Sequence, residues 1–403
     1  MAKGRSTRGP PASLKLVAGC TPIYSTLPAS CCVQLVVQVN HFKMAKELTR
    51  KDLLKKNLAR YQCLGPKMAA SFTLQPPTFV LPKEYLQFAE EFGRGVVAAT
   101  PWVVPGQAVV KGAASGSGAS GTEAGGTDAI SKLVSAMGGA SGSAVTPTAN
   151  ASSGTTASAT NLWIMKPVGL SRGRGISLVS DMSHVRYAEN TIIQKYISNP
   201  LLLDGYKFDL RLYVLVTSFA PLEAFIYKRG FARISSRPFT NDPSQINDLF
   251  IHLTNSSVQR HSDTAQSSIS ALPGADATTV GGTKCSLEYL WKRLRDRGVD
   301  TDQVWESIID LVVRSLVCVD DVIPHQPNSF EVFGYDVLID AALKPWLVEV
   351  NASPSLGVDS PMDLATKKEL LADTLALVDP LPMDRSALVD VIQRRLKQGA
   401  GAG

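Results

Sequence analysis

The sequence contains no run of apolar residues close to the ~20 that a membrane-spanning helix needs. Its six cysteines (Cys20, Cys31, Cys32, Cys63, Cys285, Cys318) form no CxxC spacing. A disulfide framework is therefore not expected, and a reduced, cytosolic setting fits. The five histidines are dispersed, with neither HxxxH nor HExxH, which argues against zinc. Charge is also sparse: 41 basic against 35 acidic residues leave a net +6. That excess permits an acidic partner without demanding nucleic acid, and no basic run is interleaved with aromatics. GxxxxGK[ST] is missing, so there is no P-loop. HRD is missing too, and GYDV only faintly resembles the DFG of a protein kinase. Met1–Cys32 would make a poor targeting signal.

What the chain does have, near its C-terminal end, is a hairpin with charge where an apolar one would not want it. Phe330–Gly357 reads FEVFGYDVLIDAALKPWLVEVNASPSLG. Two β-prone runs flank a short AALK turn. If the hairpin closes over Ala341–Lys344, Asp340 lies opposite Pro345, Asp336 opposite Glu349 and Val337 opposite Val348. Asn351, two residues beyond Glu349, shares its face. Two carboxylates and an amide oxygen then converge, a hard-oxygen set suited to Mg²⁺. The competing reading is a solvated sheet face with Glu349 paired to a lysine.

The remaining chain alternates strands and helices. CVQLVVQV reads as a strand. ELTRKDLLKKNLARYQ reads as a helix, Thr49 and Asp52 resembling a capping box. Its basic face (Arg50, Lys51, Lys55, Lys56, Arg60) is either solvated or a contact for an acidic partner. A short helix is expected over Lys83–Phe92. Gly106–Thr160, mostly Gly, Ala, Ser and Thr, cannot bury enough apolar surface to offset its ordering entropy and is expected to be a disordered insertion. A smaller one is expected over Asp263–Gly282. Strands follow at LWIMKP, ISLV, Thr191–Tyr196 and KFDLRLYVLVTS, with two more in LEAFIYKRGFARI. Helices are expected over SLEYLWKRLRDRG, over DQVWESIIDLVVRSLVCVDDVI up to Pro324, and near Met362–Val378. The pattern is α+β, or mixed α/β, and not a doubly wound Rossmann sheet.

Lys166 ends a strand just before GLSRGRG, whose glycines free backbone N–H groups to cradle phosphate while Arg172 and Arg174 add charge. Lys207, Asp209 and Arg211 form a polar stripe on a strand whose other face is apolar. That stripe is either solvent-facing with internal ion pairs or part of a site. Taken together, the lysine, the loop, the stripe and the acidic hairpin supply what a nucleoside triphosphate needs: cations, a glycine loop and oxygens for a bridging metal.

The motifs LWIMKP…SRGRG, IIQKYISNPLLLDGYKFDLRLYVL, LFIHLTNSSVQ and FGYDVLID…LKPWLVEVNASPSLGVDSPMDL resemble the tubulin tyrosine ligase-like family, ATP-grasp ligases that attach amino acids to tubulin. The likeness runs from about Glu47 to Val378, with SRGRG, NPLLLDGYKFDLRLYVLVTS and SPMDL closest to the polyglutamylase branch. It implies an ATP-grasp fold with a shortened N-terminal lobe and the two insertions. The divisions are an ill-defined segment 1–40, a first part of the ligase domain over 41–105, the insertion 106–160, the catalytic core 161–380 and a tail 381–403. The resemblance also implies that Lys166, Arg172, Gly173, Lys207, Asp209, Thr254 and Asn255 bind ATP, with Gln194, Lys195, Tyr196 and Ile197 as the hinge against adenine. Asp336, Glu349 and Asn351 would hold Mg²⁺. Arg233, Ser256, Ser257, Lys284 and Lys367 fall at amino-acid positions, and Arg172 would also meet the protein substrate. Arg211 would steady charge on the transferring phosphoryl group, with Glu349 as its catalytic companion.

The implied partners are ATP, free L-glutamate and the acidic C-terminal tails of tubulin in microtubules, with neither nucleic acid nor membrane. The implied setting is the cytoplasmic cytoskeleton, at a cilium, flagellum or basal body. Ser256 departs from the Tyr of the polyglutamylase pattern, which leaves glycine or tyrosine open as the added amino acid. The little room before Glu47 raises a truncated gene product and a non-catalytic microtubule-binding scaffold as further readings.

Overall fold

The computed structural model describes residues 20–22, 39–97, 161–170, 173–187, 190–262, 273–276 and 278–379, together with Asp390 and Gln393. The strand expected at CVQLVVQV, the insertion 106–160, and Arg172 lie outside these residues. Two compact units divide the chain, Met1–Arg94 with Thr160–Gly403, and Gly95–Ala159. Every described strand belongs to the first.

In chain order the strands are β1 (Cys20–Pro22), β2 (Thr78–Leu81), β3 (Trp163–Pro167), β4 (Ser177–Val179), β5 (Thr191–Lys195), β6 (Leu202–Leu203), β7 (Tyr206–Phe219), β8 (Leu222–Tyr227), β9 (Phe231–Ile234), β10 (Val280–Gly281), β11 (Lys284–Ser286), β12 (Glu331–Ile339) and β13 (Pro345–Asn351). The helices are α1 (Lys46–Thr49), α2 (Lys51–Gln62), α3 (Pro66–Ser71), α4 (Tyr85–Val97), α5 (Leu249–His252), α6 (Ser256–Gln259), α7 (Leu287–Arg295), α8 (Thr301–Val317) and α9 (Pro361–Val378). The expected mixture of helix and antiparallel sheet is what the chain forms.

A small antiparallel sheet runs β2-β5-β3-β4. Period-2 alternation sends Trp163, Met165 and Ile193 to one face, against Phe88 and Phe92 of α4. Leu162 and Ile164 take the other face with Tyr196 and Leu253. The large sheet centres on the 14-residue β7. Its first half pairs with β9 and its second half with β8 on one edge, and β12 and then β13 lie on the other. Phe208, Leu210, Leu212 and Val214 of β7 join Phe333, Tyr335, Val337 and Ile339 of β12 in the main core. There they meet Val304, Ile308, Leu311 and Val312 of α8, a stripe at helical spacing. Fully burying each such side chain contributes about 1.5–3 kcal/mol. The opposite face of β7 is left to Asp209, Arg211 and Tyr213.

The acidic hairpin differs from the even register in one respect. Asp336 does pair with Glu349, but Val337 pairs with Leu347 and Ile339 with Pro345. Val348 is a bulge. The turn is one residue longer than expected because Asp340 caps it, its carboxylate accepting from the N–H groups of Ala342 and Lys344 at 2.9 Å each. The extra residue in the turn and the extra residue in β13 cancel by Asp336. The bulge lets Leu347 and Val350 both reach the core while Val348 and Glu349 both line the cleft.

Three helix boundaries also differ. Thr49 forms no capping box; its hydroxyl donates to Ala45 O at 3.2 Å, and extended Arg50 (φ −82°, ψ 128°) separates α1 from α2. Helix α4 spans Tyr85–Val97 rather than Lys83–Phe92. Helix α8 stops at Val317, short of Pro324. Within the second expected insertion, Val280–Gly281 pairs with Lys284–Cys285, while residues 263–272 and 277 lie outside the described residues. Among the described residues, no helix is long and apolar enough to cross a membrane.

Candidate active site

The register lays one row of charge across the face of the large sheet opposite α8. Lys284 pairs with Arg233, Arg233 with Asp209, Arg211 with Asp336, and Asp336 with Glu349. Alternation along β7 and β12 keeps all of them off the core face. Gly334, near Asp336 on β12, leaves room for this row: a Cβ there would meet Pro354 Cβ at 3.0 Å and the Arg211 side chain at 3.6 Å.

A cleft partly open to solvent lies between this face and the small sheet. Lys166, Gln194, Tyr196, Lys207, Asp209 and Arg233 line it, with Thr254, Asn255, Asp336 and Glu349. Residues more than a hundred positions apart in sequence thus converge. Ile197 also lines it, as does Lys195, whose ammonium nonetheless turns to Asn161 and lies 5.0 Å from the Trp163 ring centre.

Lys166 and Lys207 are both buried, and their hydrogen bonds go to neutral groups. Lys166 Nζ donates to Gln194 Oε1 at 2.8 Å, and Gln194 Nε2 donates to Thr78 Oγ1 at 2.8 Å. Burial pulls the Lys166 ammonium down to about 8, although Glu349 opposes this. Lys207 Nζ donates to the Tyr196 hydroxyl and to His252 O, each at 2.8 Å. Burial, only partly offset by Asp209 and reinforced by Lys166, lowers Lys207 to about 7. Tyr196 Oη lies 3.0 Å from His252 Nδ1, and His252 Nε2 lies 3.2 Å from Gln245 O. Burial, with Lys207 nearby, lowers His252 to about 4. The ring is therefore neutral near pH 7, so Nδ1 accepts from Tyr196 while Nε2–H donates to Gln245.

The carboxylates are held differently. Asp336 receives Arg211 Nε at 2.6 Å and Arg233 Nη2 at 2.7 Å. Burial opposes its ionisation, but the two guanidinium groups hold it well below the usual carboxylate range. Arg233 also clamps Asp209, with Nε 2.8 Å from Oδ1. Glu349 Oε2 lies 3.1 Å from Lys51 Nζ. Glu349 is thus paired to a lysine, as one of the two expectations had it, although Asp336 on the same face is buried rather than solvated. Asn351 Nδ2 donates to Gly334 O at 3.3 Å and approaches Glu349 Oε1 at 3.4 Å, an arrangement that makes no use of its Oδ1. Two carboxylates and an amide oxygen are hard donors of the kind Mg²⁺ takes, with both Asp336 oxygens held by guanidinium groups and Glu349 by Lys51. Among the residues lining the cleft, Lys166, Lys195, Lys207 and Arg233 outnumber Asp209, Asp336 and Glu349 by one formal charge. A polyanion suits that balance.

The expected amino-acid positions separate. Lys284 and Lys367 converge on Asp363 and on the Phe231 ring, beside Arg233 in the sheet register. Ser257 instead lines a shallower groove with Gly173, Arg174 and His261. Ser256 begins α6 and is not among the residues lining either space.

Sequence pattern does not single out Lys51 or His252 as site residues. Nothing in the periodicity of α2 separates Lys51 from Lys55, because only tertiary position decides that one meets Glu349 and the other Glu84. The expected basic face is in fact largely consumed within the molecule, Arg50 by Asp52 and Arg60 by Asp321. A docking role for that face loses support accordingly.

With this geometry established, likeness to known proteins is specific. The sequence model of the tubulin-tyrosine ligase family matches residues 30–114 and 143–387. Tubulin polyglutamylase TTLL5 of Homo sapiens is 32% identical over 351 residues, which is 85% of this chain and 22% of that protein. Tubulin polyglutamylase ttll6 of Danio rerio is 31% identical over 90% of this chain and 38% of its own length. Probable alpha-tubulin polyglutamylase Ttll1 of Tetrahymena thermophila is 32% identical over 85% of this chain and 72% of its own. The chain thus spans under a quarter of the human relative but most of the Tetrahymena one.

Proposed function

We propose, for a chain that belongs to the tubulin-tyrosine ligase family, that it is an ATP-dependent ligase adding glutamate to side-chain carboxylates of glutamates in tubulin tails. The observation that carries this reading is the pair Lys166 and Lys207: two buried ammonium groups hydrogen-bonded to neutral partners, facing Asp336 and Glu349 across one cleft. The relatives named as tubulin polyglutamylases support the choice of acceptor and amino acid. A tubulin acceptor puts the reaction, in this reading, at microtubules, including those of cilia and basal bodies.

Lys166 and Lys207 then take phosphate oxygens. Gln194, Tyr196 and Ile197 border the adenine, and Thr254 and Asn255 close the site. Asp336, Glu349 and Asn351 would hold Mg²⁺, which supplies charge neutralisation between nucleotide phosphates and the acidic hairpin. The acceptor carboxylate attacks the γ-phosphorus and ADP leaves, giving an acyl phosphate. The free α-amine of glutamate then attacks the acyl carbon, loses a proton and expels phosphate, forming an isopeptide bond. Arg211 and Arg233, beside Asp336, offset the charge that develops, so the protein contributes mainly orientation and electrostatic stabilisation.

The test is incubation with microtubules, ATP and labelled glutamate, glycine or tyrosine in competition, followed by mass spectrometry of the tubulin tails. Glutamate should enter, and Glu349→Gln should lower incorporation at least a hundredfold. Equal incorporation by the variant, or none by the unaltered protein, overturns the reading.

A further inference from the structure

Asp363 is fully buried, with 0% of its surface exposed, yet it is no isolated charge. It sits in the first turn of α9, where Ser360 caps the helix by accepting from the Asp363 N–H at 3.1 Å. A helix N-terminus favours an anion at this place. Asp363 Oδ2 receives Lys284 Nζ at 2.9 Å and the Asp359 N–H at 3.2 Å. Lys367 Nζ lies 3.4 Å from Oδ1, which is itself buried and has no hydrogen-bond donor. Lys367 also donates to Gly357 O. One carboxylate thus ties together β11, α9 and the loop that follows Asn351.

The two lysines are aligned as well as tied. Their ammonium groups lie 5.7 Å and 5.8 Å from the Phe231 ring centre. Without a counter-ion, two ammonium groups on one aromatic ring would repel and splay apart. The hairpin tip is packed onto the same place, since a Cβ at Gly281 would come within 2.6 Å of Ser360 Oγ. Including the outer pair Asp359 and Arg260, the cluster holds three cations and two carboxylates. The surplus of one positive charge complements an amino acid of net −1 better than a neutral zwitterion.

We propose that Asp363 is a positioning residue for the amino-acid substrate: by countering Lys284 and Lys367 it sets the spacing of a two-ammonium clamp for a dicarboxylate. This rests on the ligase reading above and adds to it a residue that acts through the lysines. The experiment measures KM for glutamate and, separately, the Kd for Mg·ATP in the unaltered protein, Asp363→Asn, Lys367→Gln and the double variant. Asp363→Asn should raise KM for glutamate more than tenfold and leave the Mg·ATP Kd within twofold. The double variant should be no worse than Lys367→Gln alone, and Asp363→Glu should recover part of the loss. If Asp363→Asn does not fold, Asp363→Glu carries the same KM-against-Kd comparison. An unchanged KM, a parallel loss of Mg·ATP binding, or losses that multiply in the double variant overturn the inference. Failure of the unaltered protein to incorporate glutamate at all would instead strike the underlying ligase reading.

Discussion

Two pairs of lysines occupy one side of the large sheet, and they are held in opposite ways. Lys166 and Lys207 hydrogen-bond only to an amide oxygen, a phenol and a main-chain carbonyl. Lys284 and Lys367 are locked to a buried carboxylate. A buried cation without a counter-ion is costly, and the cost is recovered when an anion arrives. A cation already countered gains less from a new anion, so its contribution to binding lies in where it stands. In the proposed reading, the first pair therefore captures charge and the second measures shape.

The strongest test of that contrast removes each pair in turn. Lys207→Met should weaken Mg·ATP binding by a factor on the order of a hundred or more, measured by calorimetry, since it would delete the desolvated phosphate contact proposed for this lysine. Lys284→Gln should change the same Kd less than about threefold and act instead on KM for glutamate. Equal losses of Mg·ATP affinity in the two variants would erase the distinction.

Proton linkage sharpens it further. Burial lowers Lys166 to about 8 and Lys207 to about 7 in the nucleotide-free protein. Phosphates favour the charged forms, so binding at pH 8 should take up on the order of one proton, and affinity should fall from pH 7 to 9. Stability of the free protein runs the other way. An unfolded lysine titrates near 10.4, so between about 7 and that value the unfolded chain binds more protons, and stability rises with pH. Binding enthalpies that do not depend on the ionisation enthalpy of the buffer would contradict this.

Lys51 gives a smaller effect. It lies at the N-terminus of α2, where the helix dipole disfavours a cation, and Glu349 compensates. Lys51→Met should weaken Mg·ATP binding about tenfold, whereas Lys55→Met, one turn on and paired to Glu84, should leave it unchanged. Matching losses would mean that α2 matters only as a support.

The alternation along β3, β5, β7 and β12 was legible because successive side chains must take opposite faces. Lys207, Asp209 and Arg211 could therefore be grouped from the sequence, and hairpin pairing joined Asp336 to Glu349, whereas Lys166 was linked to them only by the chemistry that a nucleotide needs. The antiparallel, mixed character of the fold followed from the same patterns. Partners set by tertiary position were not legible. Even register put Asp336 opposite Glu349 only because the longer turn at Asp340 and the bulge at Val348 offset each other. Likewise, five basic residues near α2 look alike in sequence, and only packing decides that Lys51 alone of them reaches Glu349. Asp363 falls inside the SPMDL motif, yet no spacing rule reveals that it would gather two lysines from β11 and α9.

The finest distinction lies within the second pair. Lys284 touches two carboxylates, the buried Asp363 at 2.9 Å and Asp359 at 3.2 Å, whose side chain is 49% exposed and shared with Arg260. Exposed pairs are screened by solvent and typically contribute about 1 kcal/mol or less. Asp359→Asn should therefore alter KM for glutamate by about twofold at most, far below the effect of Asp363→Asn. The two kinetic series, run in the same buffer at two salt concentrations, decide the matter. If Asp359→Asn proves as damaging as Asp363→Asn, the clamp depends on net local charge rather than on the buried carboxylate that spaces it.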